Sequence, residues 1–385
     1  MDGTEQALVD LAPLLRLLLL ALVLAALPLA WWWLRARGAD TRGRMATLTA
    51  LTLFLTFDLI VFGSFTRLSD SGLGCPDWPG CYGEVSPLGA RADIHAAETA
   101  APGGPVTWSK AWIEMIHRYL AMTVGVLILV MAVFSWLGRQ RLPFSPWWPT
   151  VTLVWVIVQG MFGKYTVTLK LYPAVVTLHL LGGLLLLALL AAQHAAFRQQ
   201  PLALADARPL KRAAGVVLAL LTVQIALGGW VSTNYAVLAC TGFPTCNGQW
   251  WPEMDFATGF TLLRGLGGDD GVLRTVPSQV AIHMAHRLGA VVLTVAMAAL
   301  VWALWARRTQ DAAAGRFALG LGGLLGLQII SGLSNVVLGW PLIAALGHSA
   351  GAAALVLLMT LLLARLGAPQ RAAVTPARGA LRPAA

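Results

Sequence analysis

The segment EMIHRYLAMTVGVLILVMAVFSWL (Glu114–Leu137) decides how the whole chain is read. Beyond Arg118 it carries no charge, and its length suits the roughly 20 apolar residues that a helix needs to cross a hydrocarbon core. The stretch belongs to a predicted span at about 112–137, and eight others are of the same kind: about 11–34, 45–66, 147–168, 173–196, 212–234, 279–306, 317–339 and 341–365. Of the 385 residues, 58% are hydrophobic and 11% charged, which excludes an ordinary soluble domain. The sequence predicts an all-α integral membrane protein whose solvent is membrane lipid.

The formal net charge of +10 raises the question of an acidic partner such as nucleic acid, and the placement of the charges answers it. Seventeen basic residues fall on one predicted side: Arg35, Arg37, Arg42 and Arg44; Arg139 and Arg141; Arg198, Arg208, Lys211 and Arg212; Arg307, Arg308 and Arg316; Arg365, Arg371, Arg378 and Arg382. The opposite loops hold seven: Arg67, Arg91, Lys110, Lys164, Lys170, Arg264 and Arg274. Cytoplasmic loops of membrane proteins are enriched in Lys and Arg. The bias therefore predicts a multi-pass inner-membrane protein with a cytoplasmic C-terminus and the long loops 67–111 and 235–278 facing outward. No basic patch is left for nucleic acid. The first span follows Asp2, Glu5 and Asp10 rather than a basic segment, and its apolar run is longer than that of a signal peptide. It is expected to be a retained extra helix with the N-terminus outside.

A second segment, HMAHRLGAVVLTVAMAALVWALW (His283–Trp305), repeats the first. His117 and His179 map to His286 and His348 at an offset of 169, as Gln159 and Gly163 map to Gln328 and Gly332; Cys75 and Cys81 map to Cys240 and Cys246 at 165. Both His-to-His separations are 62 residues. Recurrence at a near-constant offset marks a duplicated unit. The division expected is 1–44 for the extra helix and basic loop, 45–200 for an N-terminal four-helix half, 201–366 for a C-terminal half and 367–385 for a tail. Units of four helices have equal orientation, so an eight-helix bundle with a pseudo-two-fold axis along the membrane normal is expected.

The four histidines sit roughly 8–11 Å below the predicted outer helix ends. A single intramembrane His is readily explained as a helix–helix hydrogen bond. Ionisable residues within the bilayer are nevertheless costly, and four in matched pairs point to function. Imidazole ligates haem iron well, and bundle cores build cofactor sites from facing helices, so one bis-His haem per half is the natural expectation. Copper or zinc also accepts imidazole, but the apolar, aromatic-bearing surroundings suit a porphyrin better. Arg118 and Arg287, each following a His, are candidates for haem propionate contacts and equally for snorkelling to water.

Glu114 lies one helical turn before His117, where the second half has His283. A carboxylate at only one site is a candidate proton acceptor during oxidation of a bound group; complementing the helix dipole is the plainer alternative. Asp58 is read as a hydrogen-bonded structural acid. His95 and His194 lack repeat partners and are assigned nothing. All four cysteines fall in the two outward loops, where disulfides persist. Of the three possible connectivities, Cys75–Cys81 with Cys240–Cys246 is the shortest, and neither pair has the C-x-x-C-H form of covalent haem attachment.

The run Gly63-Ser-Phe-Thr-Arg-Leu-Ser-Asp-Ser-Gly-Leu-Gly-Cys75-Pro-Asp-Trp-Pro-Gly-Cys81, with Glu114-Met-Ile-His117-Arg118, resembles the haem A synthase family, particularly its proteobacterial members. The likeness covers about 45–365 and leaves the first span as a departure from the eight-helix pattern. It implies an oxidoreductase of cytochrome oxidase assembly that converts the C8 methyl of haem O to formyl through a hydroxymethyl intermediate, making haem A for terminal oxidase. By motif match, His117 and His179 would hold the iron of the substrate haem, with Glu114 a catalytic participant. His286 and His348 would be the axial ligands of a haem b cofactor, and Cys75–Cys81 and Cys240–Cys246 loop disulfides, the first a candidate for redox activity. Haem O synthase, an unidentified redox partner and a second copy of the chain are the candidate partners.

The chief alternative is a bis-His di-haem b electron-transfer protein that modifies neither haem. Disulfide exchange would need dispensable histidines. A transporter built from parallel repeats would place its polar groups nearer the midplane, and a prenyltransferase would need an Asp-rich metal motif that the loops lack.

Overall fold

The computed structural model describes residues 12–198, 200–263 and 275–367. Asp2, Glu5, Asp10, Arg264, Arg274, Arg371, Arg378 and Arg382, and with them part of the charge count, lie outside the described residues. The described elements are α1 (Ala12–Arg35), α2 (Thr41–Leu68), α3 (Arg91–Ala100), α4 (Trp108–Leu137), α5 (Trp147–Thr168), α6 (Pro173–Arg198), α7 (Arg208–Thr233), α8 (Phe256–Gly259), α9 (Val276–Trp305), α10 (Ala312–Val337) and α11 (Leu342–Gly367). Among these residues there is no strand, only the isolated bridges Cys81↔Glu84 and Cys246↔Gln249.

All nine predicted spans are helices, and eight are long and apolar enough to cross a membrane. The ninth, α5, spends its 22 residues partly on Trp147, Trp148, Pro149, Gln159 and Lys164, which dilute its hydropathy. It packs between α4 and α6 as α10 packs between α9 and α11. Large apolar side chains such as Leu129, Val133, Ile157, Val292, Val295 and Ile330 face outward. On a soluble protein such a surface would aggregate; a bilayer is the solvent that accommodates it. Polar groups within α2 are satisfied locally: Thr49, Thr52 and Thr56 donate to the carbonyls of Met45, Leu48 and Thr52 at 2.8, 2.9 and 2.7 Å.

Helices α2, α4, α5 and α6 pack in one closed ring, and α7, α9, α10 and α11 in another. Contacts of α6 with α7, α2 with α11, and α6 with α11 join the rings. Helix α1 lies outside the first ring against α4 and α2. It is anchored by the buried Trp32, whose ring meets Phe134 edge-on at 5.4 Å and whose Nε1 donates to the Arg44 carbonyl at 2.9 Å. Between the rings, Asp311 caps α10 through the Ala313 amide at 2.7 Å and also accepts from Ala203 N–H at 2.9 Å, tying the inter-ring linker down.

Two differences from the sequence reading concern the site's surroundings. Thr107 and Thr275 cap α4 and α9 by accepting from Lys110 and Ser278 amides, both at 3.3 Å, so these helices start earlier than hydropathy indicates. His117 and His286 consequently lie about 14–15 Å below their helix ends, and His179 and His348 about 9 Å. The segment 67–111 is not all loop, since it contains α3, whose apolar side is covered through the buried Ile94.

Candidate functional site

Each Cys loop folds back onto the helix that carries the first histidine of its ring. Cys75 and Cys81 are disulfide-bonded, as are Cys240 and Cys246. The first disulfide packs on Ala111 and Met115 of α4, the second on Val280 and Met284 of α9. The bridge Cys81 N–H to Glu84 O recurs as Cys246 N–H to Gln249 O, both at 2.9 Å. Tyr82 and Asn247 both take φ near 52°, each followed by a glycine at positive φ.

The residues flanking the first histidines hold these loops. Arg118 donates to the carbonyls of Asp77 (3.0 Å), Pro79 (3.2 Å) and Gly80, and to the carboxylate of Glu114. Glu114 is 3% exposed, and its other oxygen accepts from the Cys75 amide at 2.8 Å. In the second ring Arg287 donates to Cys240 O (3.1 Å), Gly242 O (3.0 Å) and Thr245 O (3.1 Å), while the His283 ring meets Ala236 O at 3.0 Å. Sequence reading left propionate contact and snorkelling open for the two arginines. The structure commits both guanidiniums to inward-turned loop carbonyls, which need donors once removed from water. Arg118→Leu is expected to cost about 3–5 kcal/mol, because it leaves Glu114 as a buried charge without its partner. The check is the Tm of the detergent-solubilised variant.

The ring interiors bring the histidines together in the pairs the sequence indicates. His117 (α4) lies within electrostatic reach of His179 (α6), and His286 (α9) of His348 (α11). A glycine on a neighbouring helix faces each imidazole. A Cβ at Gly63 would fall 2.8 Å from His117 Nε2, at Gly163 3.7 Å from His179 Cε1, at Gly228 3.0 Å from His286 Cε1 and at Gly332 3.3 Å from His348 Cε1. Gly163 and Gly332 were found by their offset; Gly63 and Gly228 were not, although they recur at the 165 of the cysteines. Gly63→Ala is expected to push the His117 ring aside and lower haem occupancy of the first ring only, measured by haem content per chain.

The donor set suits haem. Each site offers two imidazoles, and no group of three or more His, Cys, Asp or Glu able to hold a metal ion occurs among the described residues. A structural zinc site takes four protein ligands and a catalytic one three. A porphyrin brings four nitrogens of its own and asks the protein for two axial ones. His179 Nδ1 is buried without a partner, an imidazole held in the interior with no structural hydrogen bond to explain it.

Asp58 departs from the sequence reading. It is half-buried, and no hydrogen bond or ion pair to it occurs among the described residues, because the hydroxyls of its own helix bond to their own backbone. His95 lies on α3, and His194 lies on α6 near the end opposite to His179, about four turns along the helix from it.

The cytochrome oxidase assembly protein family matches residues 46–360. The heme A synthase of Shewanella oneidensis is 39% identical over 319 residues, which is 82% of this chain and 94% of that protein. The chain belongs to the haem A synthase family. A heme A synthase of Methylobacterium sp. strain 4-46 is 31% identical over 86% of the chain and 94% of its own length, and that of Shouchella clausii 27% identical over 69% and 76%. The family match begins within α2 and ends within α11, so it contains both rings and all four histidines and leaves α1 outside.

Proposed function

We infer that the chain is a haem A synthase, an oxidoreductase that takes the C8 methyl of haem O to formyl through a hydroxymethyl intermediate and so supplies haem A for terminal oxidase. The observation that carries this reading is the pairing of half-buried imidazoles, each facing a glycine of a neighbouring helix, in a family member, set against a carboxylate present at only one pair.

The rings are assigned as tandem halves, 45–200 and 201–366, related by a pseudo-two-fold axis. Contact α2–α11 exchanges with α7–α6 at the repeat offsets, and α6–α11 maps onto itself, as a two-fold relation requires. His117 and His179 take the iron of haem O in the first half. His286 and His348 hold a resident haem b in the second, which supplies one-electron chemistry when bound. Glu114 takes up a proton released when the substrate methyl is oxidised. Arg118 and Arg287 keep the disulfide loops closed over the sites and exclude water, and a contact to a haem propionate would be a second role for either. The excess of basic residues at the other end of the bundle orients the Cys loops to the periplasm and the C-terminus to the cytoplasm of the inner membrane. Haem O is too apolar to exchange readily through water, which makes a haem O synthase the natural donor. The redox partner and any homo-oligomer are assigned no surface.

The test is production of haem A in cells that make haem O but have no haem A synthase of their own. Membranes should contain haem A only when the chain is expressed; its absence despite correctly inserted protein would overturn the reading.

A further inference from the structure

The two sites differ in what holds their imidazoles. In the second ring Ser331 Oγ donates to Leu327 O at 2.6 Å and lies 3.0 Å from His348 Nδ1. With its hydrogen committed to the carbonyl, this oxygen accepts from Nδ1–H and leaves Nε2 bare for iron. Gln224 Nε2 lies 3.0 Å from His286 Nδ1 and 3.0 Å from His286 O. Its Oε1 is buried and without a partner, and a half turn of the amide presents that oxygen to a protonated Nδ1 in exchange for the bond to His286 O. Gln328 Nε2 donates to His348 O at 2.9 Å.

The first ring lacks this support. At the same offsets Ser331 becomes Phe162 and Gln224 becomes Leu59. His179 Nδ1 has no partner, and His117 makes no hydrogen bond among the described residues. Gln159 is retained opposite Gln328, but both its amide atoms are buried and unpaired. The backbone follows the same division: a Cβ at Gly289 would fall 2.3 Å from Gln224 Oε1, so only glycine leaves room for that amide, while the matching position in the first ring is Leu120. One ring has the Gln224–Gly289 pair, the other Leu59–Leu120.

We propose that Gln224 and Ser331 are positioning residues that lock the axial imidazoles of the second ring so that its haem is retained, whereas His117 and His179, which lack such bonds, hold their haem less tightly and let the first ring exchange it. The proposal rests on the haem-binding reading above and adds the cause of the different residence at the two sites. An outer hydrogen bond fixes tautomer and ring orientation, and its loss typically costs 10–100-fold in metal affinity.

The experiment uses purified full-length protein loaded with haem B and follows haem loss to excess apomyoglobin, together with the low-spin electron paramagnetic resonance signal and the midpoint potential. Ser331→Ala and Gln224→Leu should each speed loss of the slowly dissociating haem by about 10–100-fold and shift the signal, whereas Ser331→Thr, which keeps the hydroxyl, should leave both near wild type. The reciprocal triple variant Leu59→Gln, Leu120→Gly and Phe162→Ser should slow loss from the fast site. Haem bound by wild type with variant rates unchanged would overturn the inference while sparing the functional reading; wild type that binds no haem would overturn that reading itself. Should the alanine variants fail to fold, the reciprocal variant decides alone, and an unslowed fast site there counts against the proposal.

Discussion

His348→Ala is expected to remove the resident haem from the second ring, lowering bound haem B by more than about tenfold, since losing an axial ligand should exceed the 10–100-fold cost of disturbing a ligand's outer hydrogen bond. His348 Nδ1 is engaged by Ser331, which leaves Nε2 as the nitrogen for iron, and alanine supplies no replacement. His286→Ala should behave alike. His117→Ala should leave haem B in place and abolish conversion of haem O, the opposite pattern. Haem extraction and a reduced-minus-oxidised spectrum of each variant read both quantities. Equal loss of haem B from all variants would contradict separate sites.

The second large effect concerns Glu114. Glu114→Ala is expected to lower conversion of haem O by about 10²-fold or more while the haem B spectrum is retained, the range for removing a proton-transfer group. The side chain also holds the loop through the Cys75 amide and Arg118, so alanine mixes two effects. Glu114→Gln separates them. The amide oxygen still accepts from Cys75 N–H, and Arg118 loses the carboxylate but keeps the carbonyls of Asp77, Pro79 and Gly80. The amide cannot take up a proton, so more of the loop contact survives than with alanine while conversion should fall nearly as far. Normal conversion by the glutamine variant would reduce Glu114 to a loop clamp and remove the argument that places chemistry in the first half.

How much of this was legible in the sequence follows from what each feature depends on. The nine spans were legible because hydropathy is a property of the chain itself, including α5, although Trp147, Trp148 and Lys164 lower the average of a helix that packs like its counterpart α10. The histidine pairs were legible because identical residues recur at a fixed offset. The clamp by Arg118 and Arg287 was not, because its acceptors are backbone carbonyls of Asp77, Gly80, Cys240 and Thr245, and a carbonyl has no signature in sequence. Short α3 escaped because its ten residues bury little beyond Ile94 and leave too brief a periodicity. Gly63 and Gly228 were in plain view at the offset of 165, and a search for recurring glycines opposite the histidines would have found them. Asp58 was read as hydrogen-bonded on the general cost of buried charge, which overlooked that its neighbours Thr52 and Thr56 spend their hydroxyls on their own helix.

One haem site per ring, with different contents, underlies both predictions. It is tested most directly by acid-acetone extraction of purified protein, expressed with and without a source of haem O, followed by chromatography and mass spectrometry. The result predicted is haem B under both conditions, joined by haem O, its hydroxylated form or haem A only when haem O is supplied. Haem B alone under both conditions would contradict the synthase in favour of a di-haem cytochrome, and a protein free of haem would contradict the sites themselves.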